Sequence, residues 1–184
     1  MALTSSKPFS ASFPLPDFAL PDVTTDQRIT PTFFSDSRAL VVIFLCRHCP
    51  YVVHLLAQVV QVAHQYQPKN ISFVGISSND AALYPEDSPA QLKTMVEQYG
   101  IPFPILYDKS QETAQAFQAV CTPEFFVFDQ DQTLFYHGRF DGSRPGNNIP
   151  CSGSDLRDAL EARLADRLPP SPQQPSMGCN IKWT

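Results

Sequence analysis

An uncharged, β-branched run, ALVVIFL (Ala39–Leu45), ends at Cys46-Arg47-His48-Cys49, and apolar residues then resume at helical spacing. This junction constrains the fold more than any other stretch of the chain. A run of that composition between polar residues reads as a strand buried on both faces. Beyond it, Val52, Leu55, Leu56, Val59, Val60 and Ala63 recur at steps of three and four, the stripe of a helix from about Arg47 to Gln67. The first N–H groups of a helix lack internal partners and its dipole is positive there. A thiolate at that end is stabilised, so its pKa falls.

The expected division of labour follows from the spacing. Cys46, at the strand–helix boundary, is the exposed nucleophile. Cys49, about one turn into the helix, is the more buried resolving thiol, placed to attack a mixed disulfide on Cys46. Arg47 and His48 add positive or polar character beside the pair, and a charged imidazole favours a thiolate. A stabilised reduced form makes the disulfide a better oxidant.

Two other readings of the pair stand beside this one. The cysteines are ordinary core residues, or they are metal ligands. A metal site needs more ligands than two, and no second Cys-x-x-Cys or paired-His cluster is present. Cys121 is the one credible third ligand, and the sequence offers His48 no obvious partner. A copper- or zinc-binding protein using Cys46, Cys49 and Cys121 is therefore the metal alternative.

Bulk properties narrow the class. A net charge of −5, with the basic residues scattered, argues against a nucleic-acid binder. The first residues contain no apolar core of an export signal, and no stretch approaches the roughly 18 apolar residues of a membrane span. The expectation is a cytoplasmic protein without nucleic-acid or membrane partners. Thiols there are mostly reduced, so a Cys-x-x-Cys is more often catalytic or metal-binding than a structural staple. The five cysteines are an odd count, too sparse for a disulfide framework.

Along the chain, residues 1–12 read as a flexible arm and 13–168 as one domain. Pro14–Val23, PLPDFALPDV, is proline-punctuated and reads as an edge strand or part of a hairpin. Asn70–Ser77, Phe103–Asp108 and Glu124–Asp129 read as further strands. Ser88–Tyr99 is a helix with Ser88 at its cap and Pro89 at its first position. Ser110–Val120 is a short helix, and DQDQ turns the chain into a last strand, TLFYHGRF. A final helix spans about Ser154–Leu168. Residues 169–184 hold four prolines and no helical period, an extended C-terminal tail packing on the domain. This order of elements predicts an α/β fold with a central mixed sheet flanked by helices.

Five stretches in order resemble the thioredoxin superfamily, and more narrowly the thioredoxin-like, peroxiredoxin-like proteins of the alkyl hydroperoxide reductase/thiol-specific antioxidant group. They are PLPDFALPDV, FLCRHCPYV (Phe44–Val52), AVCTPEFFVFD (Ala119–Asp129), RFDGSRPGNN (Arg139–Asn148) and PSMGCNIKWT (Pro175–Thr184). The resemblance implies a thioredoxin-like fold in which Pro123 is a cis-proline facing the cysteine pair. It also implies that the Thr122 backbone is available to pair with a substrate's extended chain.

The departures are informative. Thioredoxin has a buried Asp six residues before its first Cys, where this chain has Leu40. Glu124 is the nearest substitute by sequence, although a solvated carboxylate at the strand end is the plainer reading. Peroxiredoxins carry a Thr three residues before the peroxidatic Cys, where this chain has Ile43.

Cys121 reads as a small core residue or as a thiol near the pair. Cys179 reads as a tail anchor or an additional redox thiol, and Cys151 as structural. His54, His64 and His137 read as surface or helix-face residues. Arg139, Asp141 and Arg144 are expected to pin the RFDGSRPGNN loop. The favoured function is a thiol–disulfide oxidoreductase acting on protein or small-molecule thiols and disulfides. A peroxide-reducing thiol peroxidase with Cys46 peroxidatic is the alternative. No organic cofactor is required, since the electrons reside in the cysteine pair.

Overall fold

The structure, a computed structural model, describes residues 3–10 and 12–184. Its centre is a five-stranded sheet built from β4 (Ala39–Phe44), β5 (Ile71–Ser77), β6 (Ile105–Tyr107), β8 (Glu124–Asp129) and β9 (Leu134–Gly138). The spatial order is β6-β5-β4-β8-β9. β4, β5 and β6 run parallel, while β8 is antiparallel to β4 and β9 to β8. The sheet is therefore mixed, with β4 at its middle, and the fold is thioredoxin-like.

Alternation along the strands separates two apolar layers. Val41, Ile43, Phe125 and Val127 face one side, where α1 (Pro50–Tyr66), α2 (Pro89–Tyr99) and α4 (Ser154–Leu164) pack. Leu40, Val42, Phe44, Phe126 and Phe128 face the other, against Phe117 at the end of α3 (Glu112–Ala116). Leu20 and Ile29 pack there too, from the hairpin of β2 (Leu20–Pro21) and β3 (Arg28–Ile29). Every residue of β4 is buried, as its uncharged composition demands. Each large apolar side chain so buried contributes about 2 kcal/mol. The α1 stripe is buried as its spacing predicts, and Val62 and Tyr66 join it.

Several boundaries differ from the sequence reading. α1 starts at Pro50 rather than near Arg47, because Cys49 holds an extended backbone (φ −73°, ψ 119°) and proline takes the first helical position. Gly100, at φ +60°, stops α2 in the left-handed conformation that glycine adopts without penalty. α4 ends at Leu164, short of Leu168. The chain between β5 and α2 is irregular, with a single 3-10 turn at Pro85–Asp87.

The two ends of the chain meet. β1 (Leu3–Ser5), β10 (Met177–Asn180) and β7 (Cys121–Thr122) form a second, three-stranded antiparallel sheet in the order β1-β10-β7. The segment read as a flexible arm thus contributes a strand at Leu3–Ser5, because β10 offers it an open edge. Met1, Ala2 and Ala11 lie outside the described residues. Beyond β10, Ile181 is buried in the second apolar layer.

Candidate active site

The loop Cys46–Cys49 crosses from the end of β4 to the start of α1, and a distant carboxylate shapes it. Asp87, fully buried, accepts the backbone N–H of Arg47 at 2.8 Å and of His48 at 3.2 Å on Oδ1. Its Oδ2 lies 2.5 Å from His48 Nδ1 and accepts from Asn79 Nδ2 at 2.7 Å. The His48 ring also stacks on Tyr84, with centroids 5.3 Å apart. His48 therefore has a definite partner, contrary to the sequence reading. Arg47 enters the network through its backbone alone. Neither Asp87 nor Asn79 was legible as a site residue, because both lie in the irregular segment some thirty to forty positions downstream. The available signal was an acidic residue within a short proline-flanked turn.

All five cysteines are thiols. Cys46 is only 1 % exposed and Cys49 0 %, so the expectation of an exposed Cys46 is corrected. The reason is geometric. With α1 beginning at Pro50, Cys49 is the residue at the helix mouth and Cys46 sits three positions before it. Thr122 closes over both sulfurs. Its Oγ1 lies 3.4 Å from Cys46 Sγ, and its carbonyl oxygen 3.1 Å from Cys49 Sγ. The Thr122–Pro123 peptide bond is cis.

The electrostatics follow the same inversion. Cys49 is held below the ordinary thiol range, first by a hydrogen bond from Cys46, then by bonds from Cys179, the Val52 N–H and Thr122. Burial and the nearby Thr122 carbonyl oppose ionisation, but the donors outnumber them. Cys46 is pushed well above its ordinary value. It donates to Cys49, it is buried, and the Asp87 carboxylate faces it. Hydrogen bonding thus favours ionisation of Cys49 over Cys46 in the reduced pair.

The loop before Pro123 has its own carboxylate. Glu124 is fully buried, not solvated. Its Oε2 accepts the N–H groups of Val120 and Cys121 at 2.8 and 3.1 Å, and its Oε1 lies 2.8 Å from His137 Nε2. His137, expected on the surface, is buried against Phe126 and Phe9. Glu124 therefore braces the Thr122 loop from behind and contacts neither sulfur of the pair. Leu40 packs in the layer opposite to Cys46 and Cys49.

Cys121 turns toward the same carboxylate, 3.6 Å from Glu124 Oε2, and burial with that negative charge pushes its thiol up. Among the described residues the metal-type cluster is Cys46, His48 and Asp87, with ligand atoms within 4.8 Å of one another. Cys121 does not join it, which corrects the Cys46–Cys49–Cys121 ligand set. Asp87 already accepts four hydrogen bonds, so a metal there would have to break the network that shapes the loop.

Cys179, read from the sequence as a tail anchor or an additional redox thiol, is brought to the pair by the tertiary structure. In β10 it pairs with Thr122, and its sulfur lies 3.0 Å from Cys49 Sγ. The Thr122 edge expected to receive a substrate's extended chain is occupied by the protein's own tail. Cys151 lies apart, half-buried in the loop before α4. That loop is pinned by Asp141, which accepts from Ser143, Ser152 and Gly153 N–H, and by Arg139, 2.7 Å from Asp155. Arg144 instead reaches Met177 Sδ at 2.9 Å.

Comparison with known proteins agrees with this architecture. A crystal structure of an uncharacterised conserved protein from Geobacillus kaustophilus is 44 % identical, with a TM-score of 0.98, covering 100 % of this chain and 97 % of that one. A hypothetical protein from Sinorhizobium meliloti is 41 % identical, with a TM-score of 0.96 and 98 % of both chains covered. More distant folds include a thiol:disulfide interchange protein of the thioredoxin family from Chlorobium tepidum. It is 21 % identical, with a TM-score of 0.63, covering 85 % of this chain and 99 % of that one. No curated protein matches. The AhpC/TSA family pattern matches residues 12–137, more than half of the sequence. With that match spanning both the Cys46–Cys49 junction and the Pro123 loop, the chain belongs to the AhpC/TSA family.

Proposed function

We propose that the protein is a thiol–disulfide oxidoreductase working through Cys46 and Cys49. The observation that carries this reading is Thr122 beside the cis-proline, with its hydroxyl 3.4 Å from Cys46 Sγ and its carbonyl oxygen 3.1 Å from Cys49 Sγ, which holds both sulfurs against one loop at the N-cap of α1. The pair supplies its own acid–base function, so an Asp at the Leu40 position is not needed. As Cys46 Sγ attacks a substrate disulfide, its proton passes to the Cys49 thiolate. The substrate S–S bond breaks, a mixed disulfide forms, and the first substrate sulfur leaves as a thiolate. Cys49 then gives up that proton and attacks Cys46, releasing the second substrate thiol and closing the Cys46–Cys49 disulfide. Run backwards, the same steps oxidise a dithiol. A depressed thiolate on Cys49 stabilises the reduced form and biases the pair toward the oxidising direction.

A second reading, peroxide reduction, has one favourable observation. The Thr122 hydroxyl, 3.4 Å from Cys46 Sγ, supplies at the sulfur the kind of group that Ile43 cannot. In that case Cys46 attacks a peroxide oxygen, becomes a sulfenic acid and releases water or an alcohol. Cys49 condenses with it, releasing a second water.

Trapping separates the readings. Reduced Cys49→Ser protein is treated with oxidised glutathione and, separately, with hydrogen peroxide. A stable glutathione adduct mapped to Cys46 supports the oxidoreductase. A Cys46 sulfenate with no glutathione adduct supports the peroxidase. An adduct on Cys49 of Cys46→Ser, with none on Cys46 of Cys49→Ser, overturns the assigned roles.

A further inference from the structure

The mechanism above uses two sulfurs, yet Cys49 touches a third. The Cys179 and Cys49 sulfurs lie 3.0 Å apart, only ~1 Å beyond a disulfide bond. Thr122 thus contacts Cys46 and Cys49, and Cys49 in turn contacts Cys179. Cys179 is 3 % exposed, and the backbone that carries it is held closely.

Several bonds fix the tail at this place. β10 pairs with Thr122 on one side and with Leu3 on the other. Ser176 N–H donates to Ser6 Oγ at 2.9 Å, and Ile181 N–H to the Val120 carbonyl at 3.1 Å. Lys182 N–H donates to Asn79 Oδ1 at 2.8 Å, and the same Asn79 donates to Asp87 beneath the Cys46–Cys49 loop. Gly178 is required by this fit, since a Cβ there would lie 2.0 Å from the Thr122 carbonyl oxygen. The network that shapes the redox loop thus also positions the strand bearing Cys179.

Resting on the Cys46–Cys49 chemistry of the preceding section, we propose that Cys179 is a third redox thiol, exchanging with that disulfide to form a Cys49–Cys179 bond. The Cys179 sulfur attacks Cys49 Sγ, the new S–S bond forms, and the Cys46–Cys49 bond breaks. The proton of Cys179 passes to the departing Cys46 sulfur. One disulfide replaces another, with no net oxidation and no added reagent. The product ties β10 to the mouth of α1, locks the tail over the Thr122 edge, and returns Cys46 to the thiol state. It is a stored, latched form of the oxidised protein. Burial and hydrogen bonding raise both Cys46 and Cys179, so the proton moves between sulfurs that each hold it firmly.

The test maps disulfides in the full chain after oxidation with diamide, acid quenching, alkylation and non-reducing digestion. Wild-type protein is expected to yield both Cys46–Cys49 and Cys49–Cys179 linked peptides, with Cys46 alkylated in the latter fraction. Cys46→Ser is expected to form Cys49–Cys179 as its predominant disulfide, and Cys179→Ser to form Cys46–Cys49 alone. A purely structural Cys179 would give no such linked peptide in any variant. Cys46–Cys49 in the wild type with Cys179 alkylated throughout overturns this proposal and leaves the redox pair intact. Failure of Cys179→Ser to form Cys46–Cys49 overturns the pair itself, and this exchange with it.

Discussion

His48 Nδ1 lies 2.5 Å from Asp87 Oδ2, while the other oxygen of that carboxylate takes the two backbone N–H groups between the cysteines. One buried acid thus sets both the path of the Cys46–Cys49 loop and the local charge that Cys46 meets. A buried carboxylate with four hydrogen bonds contributes strongly to uniqueness of structure, and removing it leaves its donors unpaired.

Asp87→Ala is therefore expected to destabilise the reduced protein by roughly 3 kcal/mol, the usual scale for breaking a buried charged network. Urea unfolding measures this. A loss below about 1 kcal/mol, within the range of a single neutral hydrogen bond, would contradict the network as described.

The thiols should titrate unequally. Ultraviolet thiolate absorbance of the reduced protein is expected to reveal one acidic thiol with a midpoint of about 5. That step should vanish in Cys49→Ser. It should move to higher pH in Cys46→Ala, which leaves no donor at that position, because the Cys46 hydrogen bond is the largest influence holding Cys49 down. Cys46 as the acidic group would reverse the charge assignment.

The same shift sets the sign of a stability effect. Cys49 is ionised in the folded state and protonated in the unfolded chain between its depressed pKa and the ordinary thiol value of 9.0. Its contribution is fully present above that ordinary value and is lost as pH falls through about 5. Chemical denaturation of reduced wild type against Cys49→Ser across this window should show the gap between them narrowing toward acid. A gap that widened toward acid would contradict a depressed Cys49.

Gly178→Ala should push β10 away from β7, since the new Cβ meets the Thr122 carbonyl at 2.0 Å. Amide exchange at residues 177–182 should accelerate, and alkylation of native Cys46 should rise on the order of tenfold, equivalent to ~1.4 kcal/mol of lost docking. Unchanged exchange would mean that the strand accommodates a side chain there.

Glu124→Gln separates bracing from chemistry. It removes the charge opposite His137 while leaving both redox sulfurs untouched, so the protein should lose about 2 kcal/mol of stability. The acidic thiolate titration should stay where it is. A displaced titration would make Glu124 part of the redox site rather than its support.

Short-range pattern accounts for what could be read without coordinates. The buried β4 run, the α1 stripe and the strand–cysteine–helix junction are local, and hydrophobic periodicity reports on local structure. Even there the junction misled by three residues, because Pro50 and the extended backbone of Cys49 decide where the helix begins, and that puts Cys49 rather than Cys46 at the helix mouth. Thr122 and Cys179 were candidates from the sequence, but Asp87 was not, and no distance to the pair was legible. Asp87 reaches the loop from 39 and 40 positions away, and Cys179 reaches Cys49 from 130. Such contacts exist only after the sheet has assembled and β10 has paired with β7. Sequence alone determined that a thiol pair lies at the end of a central strand in an α/β sandwich. Tertiary structure decided which sulfur stands at the helix mouth, which carboxylate shapes the loop, and that a third sulfur lies against the second, since burial and hydrogen-bond partners come from chain brought together by packing.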